Sequence, residues 1–434
     1  MTAKIDYQAC LDEMFALARF GIVLGLDTIR DILSGIGNPQ ENYSCIHIAG
    51  TNGKGSIASS LSTILLMAGY KVGLYTSPHL VRFNERICIN NRPISDEEVV
   101  ESYLEVKKAD IGPRKATFFE ITTAMALLEF KKNKVDWAVI ETGMGGKLDA
   151  TNVLAPGVSI VSNISLEHQA YLGNTIAKIA GEKAGIIKPD TPVVTGVKQK
   201  SAIAVMEKVA KENRAPLYRL GDAFHIRRTK NQTFHYFGLN LKAENLKTAL
   251  AGKHQAENAA LVLAACEVLN RKDTRIPFET IRRGIENNQW PGRLEIVSQN
   301  PLVILDGAHN LSAAKLLSDY LSDLPGHPNL TLVIGILDDK PYEAMLKELL
   351  PVCSKVILTS PKINRALPVE KLLPVAKQLH GDIKMIPDVE EAVFYAMDHA
   401  ASDEAVCIAG SLYVVGEAKQ ALEKRGIPAF QLKT

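Results

Sequence analysis

Ile46-His47-Ile48-Ala49-Gly50-Thr51-Asn52-Gly53-Lys54-Gly55-Ser56 is the stretch whose reading decides the fold of this chain. An apolar run of strand character feeds a glycine-rich turn, and the residues that follow, Ile57, Ala58, Leu61, Ile64, Leu65 and Ala68, recur at helical spacing. Strand, turn and helix in that order make a phosphate cradle, because a helix's first turn presents unpaired amides and the positive end of its dipole to an anion. Glycines at 50, 53 and 55 let the backbone approach a polyphosphate, Lys54 supplies positive charge, and Ser56 offers a hydroxyl beside a metal-bound phosphate. The spacing departs from the common G-x-x-x-x-G-K-[ST] form: Gly55 separates the lysine from the serine, and Gly50 stands closer to the lysine. An ordinary glycine-rich strand-to-helix turn is the competing reading. Lys54 and Ser56, both in register, favour a nucleoside triphosphate.

Outward from this stretch, short apolar runs at 137–140, 158–161, 192–195, 303–305, 330–335, 356–359 and 405–409 are each trailed by a helical pattern. That alternation predicts parallel, doubly wound α/β sheets. Between about 222 and 250, alternating Phe224, Ile226, Phe234, Tyr236 and Leu239 predict an antiparallel hairpin region at the edge of the first domain; 254–269 then reads as a helix. At Trp290-Pro291-Gly292-Arg293, proline and glycine break a helical pattern just before a new α/β series. A chain of 434 residues exceeds what one core usually holds, so two domains, 1–293 and 294–434, are expected.

Composition excludes several classes. With 46% hydrophobic and 23% charged residues the chain reads as soluble and globular, and a net charge of +2 gives no electrostatic reason to expect a nucleic-acid or membrane-surface partner. Cys10, Cys45, Cys88, Cys266, Cys353 and Cys407 are scattered without a C-x-x-C pair, which argues against disulfides and a zinc site. Asp6, Asp12, Glu13 and Arg19 interrupt any signal-type apolar segment, and no run approaches the length of a membrane span. A cytoplasmic protein is expected.

The second informative block is Val139-Ile140-Glu141-Thr142-Gly143-Met144-Gly145-Gly146-Lys147-Leu148-Asp149-Ala150-Thr151-Asn152. Ligands of open α/β sheets collect beyond the carboxyl ends of strands, so Glu141 is a candidate to face the phosphate loop and hold Mg²⁺. A helix cap or a lysine pair is the plainer alternative. After the next strand, Asn163 and Leu166-Glu167-His168 bring an imidazole to a corresponding strand end. Ser56, Glu141 and His168 at three strand ends suit phosphoryl transfer, which gathers metal ligands and donors around a γ-phosphate. Lys183, at a helix end, reads from residue chemistry as a solvated surface lysine. In the second domain Asp306 and His309 repeat the strand-then-polar-turn layout, and Gly410-Ser411 close the last apolar run. Arg293, in the hinge, is either a phosphate contact or an ordinary salt-bridge partner.

These motifs, in order and over nearly the whole chain, resemble the ATP-dependent Mur ligase superfamily, and within it folylpolyglutamate synthase and dihydrofolate synthase. The resemblance rests on His47-Ile-Ala-Gly-Thr-Asn-Gly-Lys-Gly-Ser56, Ser77-Pro-His-Leu80 with Arg82-Phe-Asn-Glu-Arg86, Thr117-Phe-Phe-Glu120, the block from Glu141 to Asn152, Glu182-Lys-Ala-Gly-Ile186, Pro291-Gly-Arg293, Leu305-Asp-Gly-Ala-His-Asn310 and Gly410-Ser-Leu-Tyr413. The Ser77 and Thr117 elements resemble the folate branch rather than the cell-wall branch. The resemblance implies ATP binding by Gly50, Thr51, Asn52, Gly53, Lys54, Gly55 and Ser56, completed by Asn258, Arg293 and Asp306. It implies Mg²⁺ ligation by Ser77, Glu141 and His168, and folate binding by Thr117, Phe118, Phe119, Glu120, Leu148, Asp149 and Ala150. His309 and Ser411 match positions for the incoming glutamate. Lys54, His168 and Lys183 are the implied catalytic groups, with Lys183 carbamylated, which would turn a cation into an anion able to sit near metal. Two departures stand out: Glu167 where the family usually has aspartate before the histidine, and Pro341 after Asp339-Lys340 where an acid is usual.

The expectation is an α/β protein with an N-terminal P-loop-type, doubly wound, mostly parallel sheet domain carrying a small antiparallel edge region, plus a smaller C-terminal Rossmann-like α/β domain. By resemblance it is an ATP-dependent ligase that joins L-glutamate to dihydropteroate or reduced folates through an acyl phosphate, as a monomer, with two Mg²⁺ ions and a monovalent cation as a further candidate. A muramyl-peptide-type ligase and a non-ligase ATP switch are the alternatives.

Overall fold

The computed structural model describes residues 6–17, 21, 23–110, 114–230, 233–271, 275–324, 326 and 329–427. The chain divides into two compact units. The first comprises Met1–Ser77, Phe83–Ala249 and Gln255–Asn288; the second comprises Pro78–Arg82, Leu250–His254 and Gln289–Thr434. The second unit thus begins five residues before the expected boundary at 293/294 and takes in two short segments from earlier in the chain, which a linear division of the sequence does not single out.

The first unit holds an eight-stranded sheet. Its strands are β1 (Ser44–Ala49), β2 (Val72–Tyr75), β3 (Ile87–Ile89), β4 (Arg92–Pro93), β5 (Trp137–Glu141), β6 (Val158–Val161), β7 (Val193–Thr195) and β8 (Leu217–Arg219). They lie in the order β4-β3-β2-β5-β1-β6-β7-β8, all running the same way except β3, which pairs antiparallel with β2 and β4 at one edge. Nearly every residue of β1, β2, β5, β6 and β7 is buried, as a sheet covered on both faces requires, which is why these strands are continuous apolar runs rather than alternating ones. From β1 the chain crosses over β5 to reach β2, whereas β6 to β8 extend on β1's other side. The carboxyl end of β1 is therefore a topological switch point, the place at which open α/β sheets generally bind ligand. Register brings the strand ends level: Ile48 pairs with Glu141, and Ala49 with Val161.

The antiparallel region is a sheet of its own, β9 (His225–Arg228), β10 (Phe234–Phe237) and β11 (Lys242–Leu246), and among the described residues it does not join the edge of the main sheet. It is fastened instead to the helix Gln255–Asn270. There the buried Glu267 carboxylate accepts from Tyr236 Oη (2.6 Å), Leu239 N (3.1 Å), Asn240 N (2.7 Å) and Leu241 N (2.9 Å). Four donors offset the cost of burying the charge, and they set the turn between β10 and β11.

The second unit carries a six-stranded sheet of β12 (Glu295–Gln299), β13 (Leu302–Leu305), β14 (Leu330–Ile334), β15 (Lys355–Leu358), β16 (Ile383–Met385) and β17 (Ala405–Ala409), in the order β12-β13-β17-β14-β15-β16. Only β12 is antiparallel. Alternate residues of β13 fall into two separate cores, Leu302 and Ile304 in one, Val303 and Leu305 in the other, so helices cover both faces. Because β13 and β17 are neighbours, the turns after Leu305 and Ala409 emerge side by side.

Candidate active site

The phosphate turn is defined by what its neighbours leave no room for. A Cβ on Gly50 (φ +149°) would come 1.8 Å from Ser162 Oγ, and one on Gly53 (φ +85°) would lie 2.6 Å from Asn258 Oδ1. The turn is wedged between the exit of β6 and the helix Gln255–Asn270. Ser162 Oγ donates to Asn52 O at 2.6 Å. Asn163 holds the two peptides that flank Asn52, accepting from Asn52 N through Oδ1 (3.0 Å) and donating from Nδ2 to Asn52 O (2.9 Å). Gly53 is the left-handed N-cap of the helix Lys54–Met67, and no side chain caps that end. Its first amides are positioned for an anion. Ser56 is the third residue of the helix; Gln255 Nε2 reaches its Oγ at 3.4 Å, and Asn258 Nδ2 donates to Gln255 Oε1 at 2.9 Å.

Lys54 Nζ folds back on Gly50 O (3.1 Å) and Thr51 O (3.3 Å) and stands 3.8 Å from Glu141 Oε1, whose partner Oε2 accepts from Ser77 N at 3.3 Å. Loop lysine, strand-end carboxylate and Ser77 are thus gathered at one place, as the β1–β5 register dictates. His168 follows the end of β6 in a left-handed conformation (φ 47°), and the short helix Gln169–Leu172 starts after it.

Lys183 is not a surface lysine. It is 2% exposed, with Nζ donating to Gly50 O at 2.8 Å and lying 3.4 Å from Glu167 Oε1. Burial pushes its ammonium from 10.5 down to about 8; Glu167 opposes the shift and the charge of Lys54 adds to it. Glu167, the departure noted in sequence, is the partner of this buried amine.

The expected folate residues lie at the start of the helix Phe118–Lys132 and in the turn after β5. Thr117 is the N-cap of the helix Phe118–Lys132 in a full capping box with Glu120. The Glu120 carboxylate is engaged there, accepting from Thr117 N (2.8 Å), Thr117 Oγ1 (2.9 Å) and both Arg114 terminal nitrogens (2.9 and 2.6 Å). Its geometry is that of a helix-start brace. Phe119 packs on the glycine turn: a Cβ on Gly143 would lie 2.4 Å from its Cζ. Phe118 faces Phe15 (centroids 5.5 Å apart) and the Arg86 guanidinium (5.2 Å). Leu148 is exposed, Ala150 is buried, and Asp149 is buried and accepts from Met144 N (2.8 Å), Thr151 N (3.0 Å) and Thr151 Oγ1 (2.5 Å). Burial raises the Asp149 carboxyl above its ordinary range, against the pull of these bonds. His47 Nε2 lies 2.8 Å from the Thr151 hydroxyl, so a buried chain runs from β1 to Asp149.

In the second unit Asp306 accepts from Leu294 N and Ala308 N, both at 2.9 Å, and burial raises its carboxyl while Arg293 lowers it. The Arg293 guanidinium lies over Gly307, where a Cβ would meet Nη1 at 2.2 Å. His309 Nδ1 lies 2.8 Å from Gly307 O, and Ser411 caps the helix Leu412–Lys424 through Val414 N at 3.1 Å.

Hard oxygen donors, Glu141 with the Ser56 and Ser77 hydroxyls, fit Mg²⁺. Among the described residues no three His, Cys, Asp or Glu side chains gather as a metal cage. Mg²⁺ usually keeps waters and is held by one or two carboxylates plus substrate phosphates. Asn163 was noted in the sequence without a role, and Gln255 escaped it; Gln255 precedes Asn258 by three residues and so shares its helix face, the one signal that pointed to it.

Two family descriptions match the chain: the Mur ligase middle domain over residues 48–266, and the Mur ligase glutamate ligase domain over 292–412. The dihydrofolate synthase/folylpolyglutamate synthase of Bacillus subtilis is 35% identical over 430 residues, 96% of this chain and 99% of that protein. An E. coli FolC structure in complex with DHPP and ADP superposes with TM-score 0.91 at 31% identity, covering 98% of this chain and 100% of that one. A bifunctional folylpolyglutamate synthase/dihydrofolate synthase with Mn, AMPPNP and L-glutamate bound gives TM-score 0.87 at 30% identity, covering 98% and 99%.

Proposed function

The chain belongs to the Mur ligase superfamily, in its dihydrofolate synthase/folylpolyglutamate synthase branch, and from that premise we propose how its residues carry out the ligation. It is an ATP-dependent carboxylate–amine ligase that joins L-glutamate to the carboxylate of dihydropteroate and of reduced folates. A free carboxylate is a poor electrophile, so its oxygen first attacks the γ-phosphorus, expelling ADP and forming an acyl phosphate. The glutamate amine then attacks the acyl carbon, phosphate departs with the bonding pair, and the amine loses a proton.

The observation that carries this reading is the open helix start at Gly53 with Lys54, Glu141 and Ser77 gathered beside it. The amides of the Gly50–Ser56 loop and the Lys54 ammonium hold the β- and γ-phosphates and neutralise charge as it moves onto the leaving ADP. Asn258, Arg293 and Asp306 complete nucleotide binding. A divalent metal would be held by Ser77, Glu141 and His168 and would supply Lewis-acid stabilisation of the phosphoryl oxygens. We take two Mg²⁺ ions and a monovalent cation as the full ion complement. The neutral Lys183 amine takes up CO₂, releasing a proton, to give a carbamate; the depressed ammonium favours that step. Phe118, Phe119, Leu148, Asp149 and Ala150 contact the pterin, Thr117 and Glu120 hold the helix start that presents Phe119, and His309 and Ser411 receive glutamate. The folate site and most of the ATP site fall to a domain of residues 1–293, and glutamate ligation to 294–434, which also supplies Asp306 to the nucleotide. We take it to work as a monomer in the cytoplasm; the charge of +2 gives no electrostatic reason for a nucleic-acid or membrane-surface partner.

The test is ATP- and Mg²⁺-dependent phosphate release with L-glutamate and either 7,8-dihydropteroate, tetrahydrofolate or no pterin, with product masses read. Gain of one glutamyl unit on both pterins is expected. Gain on neither would overturn the reading.

A further inference from the structure

We propose that Glu295 and Lys419 form a positioning pair for Arg293, a buried ionic clasp that holds the Gly292-Arg293-Leu294 turn in a conformation the turn would not keep alone. Gly292 has φ +68° and Leu294 has φ +48°. Glycine adopts the left-handed region freely, but a leucine there is strained, and such strain persists only where the surroundings over-determine it. The surroundings are on view. Leu294 N donates to Asp306 Oδ2 at 2.9 Å, Gly307 N donates to Gly292 O at 2.8 Å, and Arg293 Nη1 donates to the same carbonyl at 3.1 Å. From the other side Glu295 Oε2 accepts Gly292 N at 2.7 Å.

That carboxylate is also the partner of Lys419, whose Nζ lies 2.8 Å from Oε1 and 3.0 Å from Oε2, with side chains only 10% and 5% exposed for Glu295 and Lys419. Burying two charges is costly, and an apolar pair would pack the same space as well. What an apolar pair cannot do is accept the amide that immediately precedes Arg293. Lys419 sits on the helix Leu412–Lys424, so one carboxylate fastens the Arg293 turn to the helix that begins at Ser411. With Gly307 leaving a slot under the guanidinium, both the backbone and the head of Arg293 are fixed. The clasp acts through Arg293, and the inference rests on the reading of Arg293 as a nucleotide contact.

The experiment measures ADP binding by calorimetry on the full chain, with KM for ATP and for L-glutamate, in Arg293→Ala, Glu295→Gln, Lys419→Arg and the double variant Glu295→Leu/Lys419→Leu. Arg293→Ala and the double variant should each weaken ADP binding about tenfold, since small misplacements of a binding group carry losses of this size. The double variant leaves no charge buried and unpaired, so its melting temperature should fall less than that of Glu295→Gln, the remaining loss being that of the unpaired Gly292 amide. Glu295→Gln, which keeps the shape, should weaken ADP in the same direction and decides the matter if the double variant does not fold. Lys419→Arg should restore wild-type affinity, and KM for L-glutamate should stay unchanged throughout. Wild-type ADP affinity in the double variant or in Glu295→Gln, beside a weakened Arg293→Ala, overturns the clasp alone. Parallel loss of ATP and glutamate affinity with a falling melting temperature also overturns it, reducing the pair to a structural contact. Unchanged affinity in Arg293→Ala overturns the nucleotide reading of Arg293 and the clasp with it.

Discussion

Lys183 shows how far one residue can depart from its ordinary chemistry. Its ammonium binds a proton less tightly in the folded chain, at about 8 against 10.5 unfolded. Below about 8 both states are protonated and stability is flat in pH; between there and 10.5 the unfolded chain holds more protons, so stability rises with pH. Denaturant titrations in bicarbonate-free buffer across that window should show this rise in the wild type and lose it in Lys183→Met. Added ¹³C-bicarbonate should give a carbamate resonance that the same substitution removes. Lys54 is the complementary case. Lys54→Ala gives up two carbonyl contacts, worth about 1 kcal/mol each, yet should lower phosphate release by at least about 100-fold, the scale for losing a preorganised charge at a transition state. A folded Lys54→Ala variant turning over at the wild-type rate would refute the loop assignment. Neither behaviour was legible in full from sequence: Lys54 was announced by its glycines, whereas Lys183 sits in an ordinary helix-end pattern whose burial arises only when β1 and the helix Ile176–Ala184 are packed together.

At the scale of elements, the turns are what the sequence shows most clearly, because their glycines answer to contacts as well as to φ. Gly143 has no room for a methyl group against Phe119. In Gly143→Ala the ring has to move, and the KM for 7,8-dihydropteroate should rise about tenfold while the KM for ATP holds, a split that marks lost ground-state binding at one site. Equal changes in both constants would show that Phe119 has no separate role. The helix Phe118–Lys132 depends on its capping box, so Thr117→Val should cost about 1 kcal/mol in urea unfolding. The strands β2, β3, β4, β8, β12 and β16 went unread: β3, β4, β8 and β16 are two or three residues long, β2 is interrupted by Gly73, and β12 mixes polar with apolar residues. The ribbon β9–β11 was read as hairpin from its alternation, but its attachment to Glu267 rather than to the sheet edge depends on four donors brought together by a turn.

At the scale of the molecule, binding should report on folding. ADP with Mg²⁺ at about 100 times its dissociation constant should stabilise the fold by about 2.7 kcal/mol, read as a rise in melting temperature. A chelator should abolish phosphate release and shrink that rise while leaving the circular dichroism of the free protein intact. Loss of the fold on chelation would instead mean a structural metal. The sequence by itself determined the α/β class, the glycine-rich strand-to-helix turn at 50–56 and the order of motifs, because glycine-rich strand ends and buried apolar runs are local patterns set by backbone sterics and burial. Only the tertiary structure decided that Ile48 lies beside Glu141, that Asn163 braces the loop, that Lys183 is buried against Glu167, and that Pro78–Arg82 and Leu250–His254 belong to the second unit. These are facts of strand order and register, and a chain carries no local mark of which distant residue will stand across a ladder or beneath a turn.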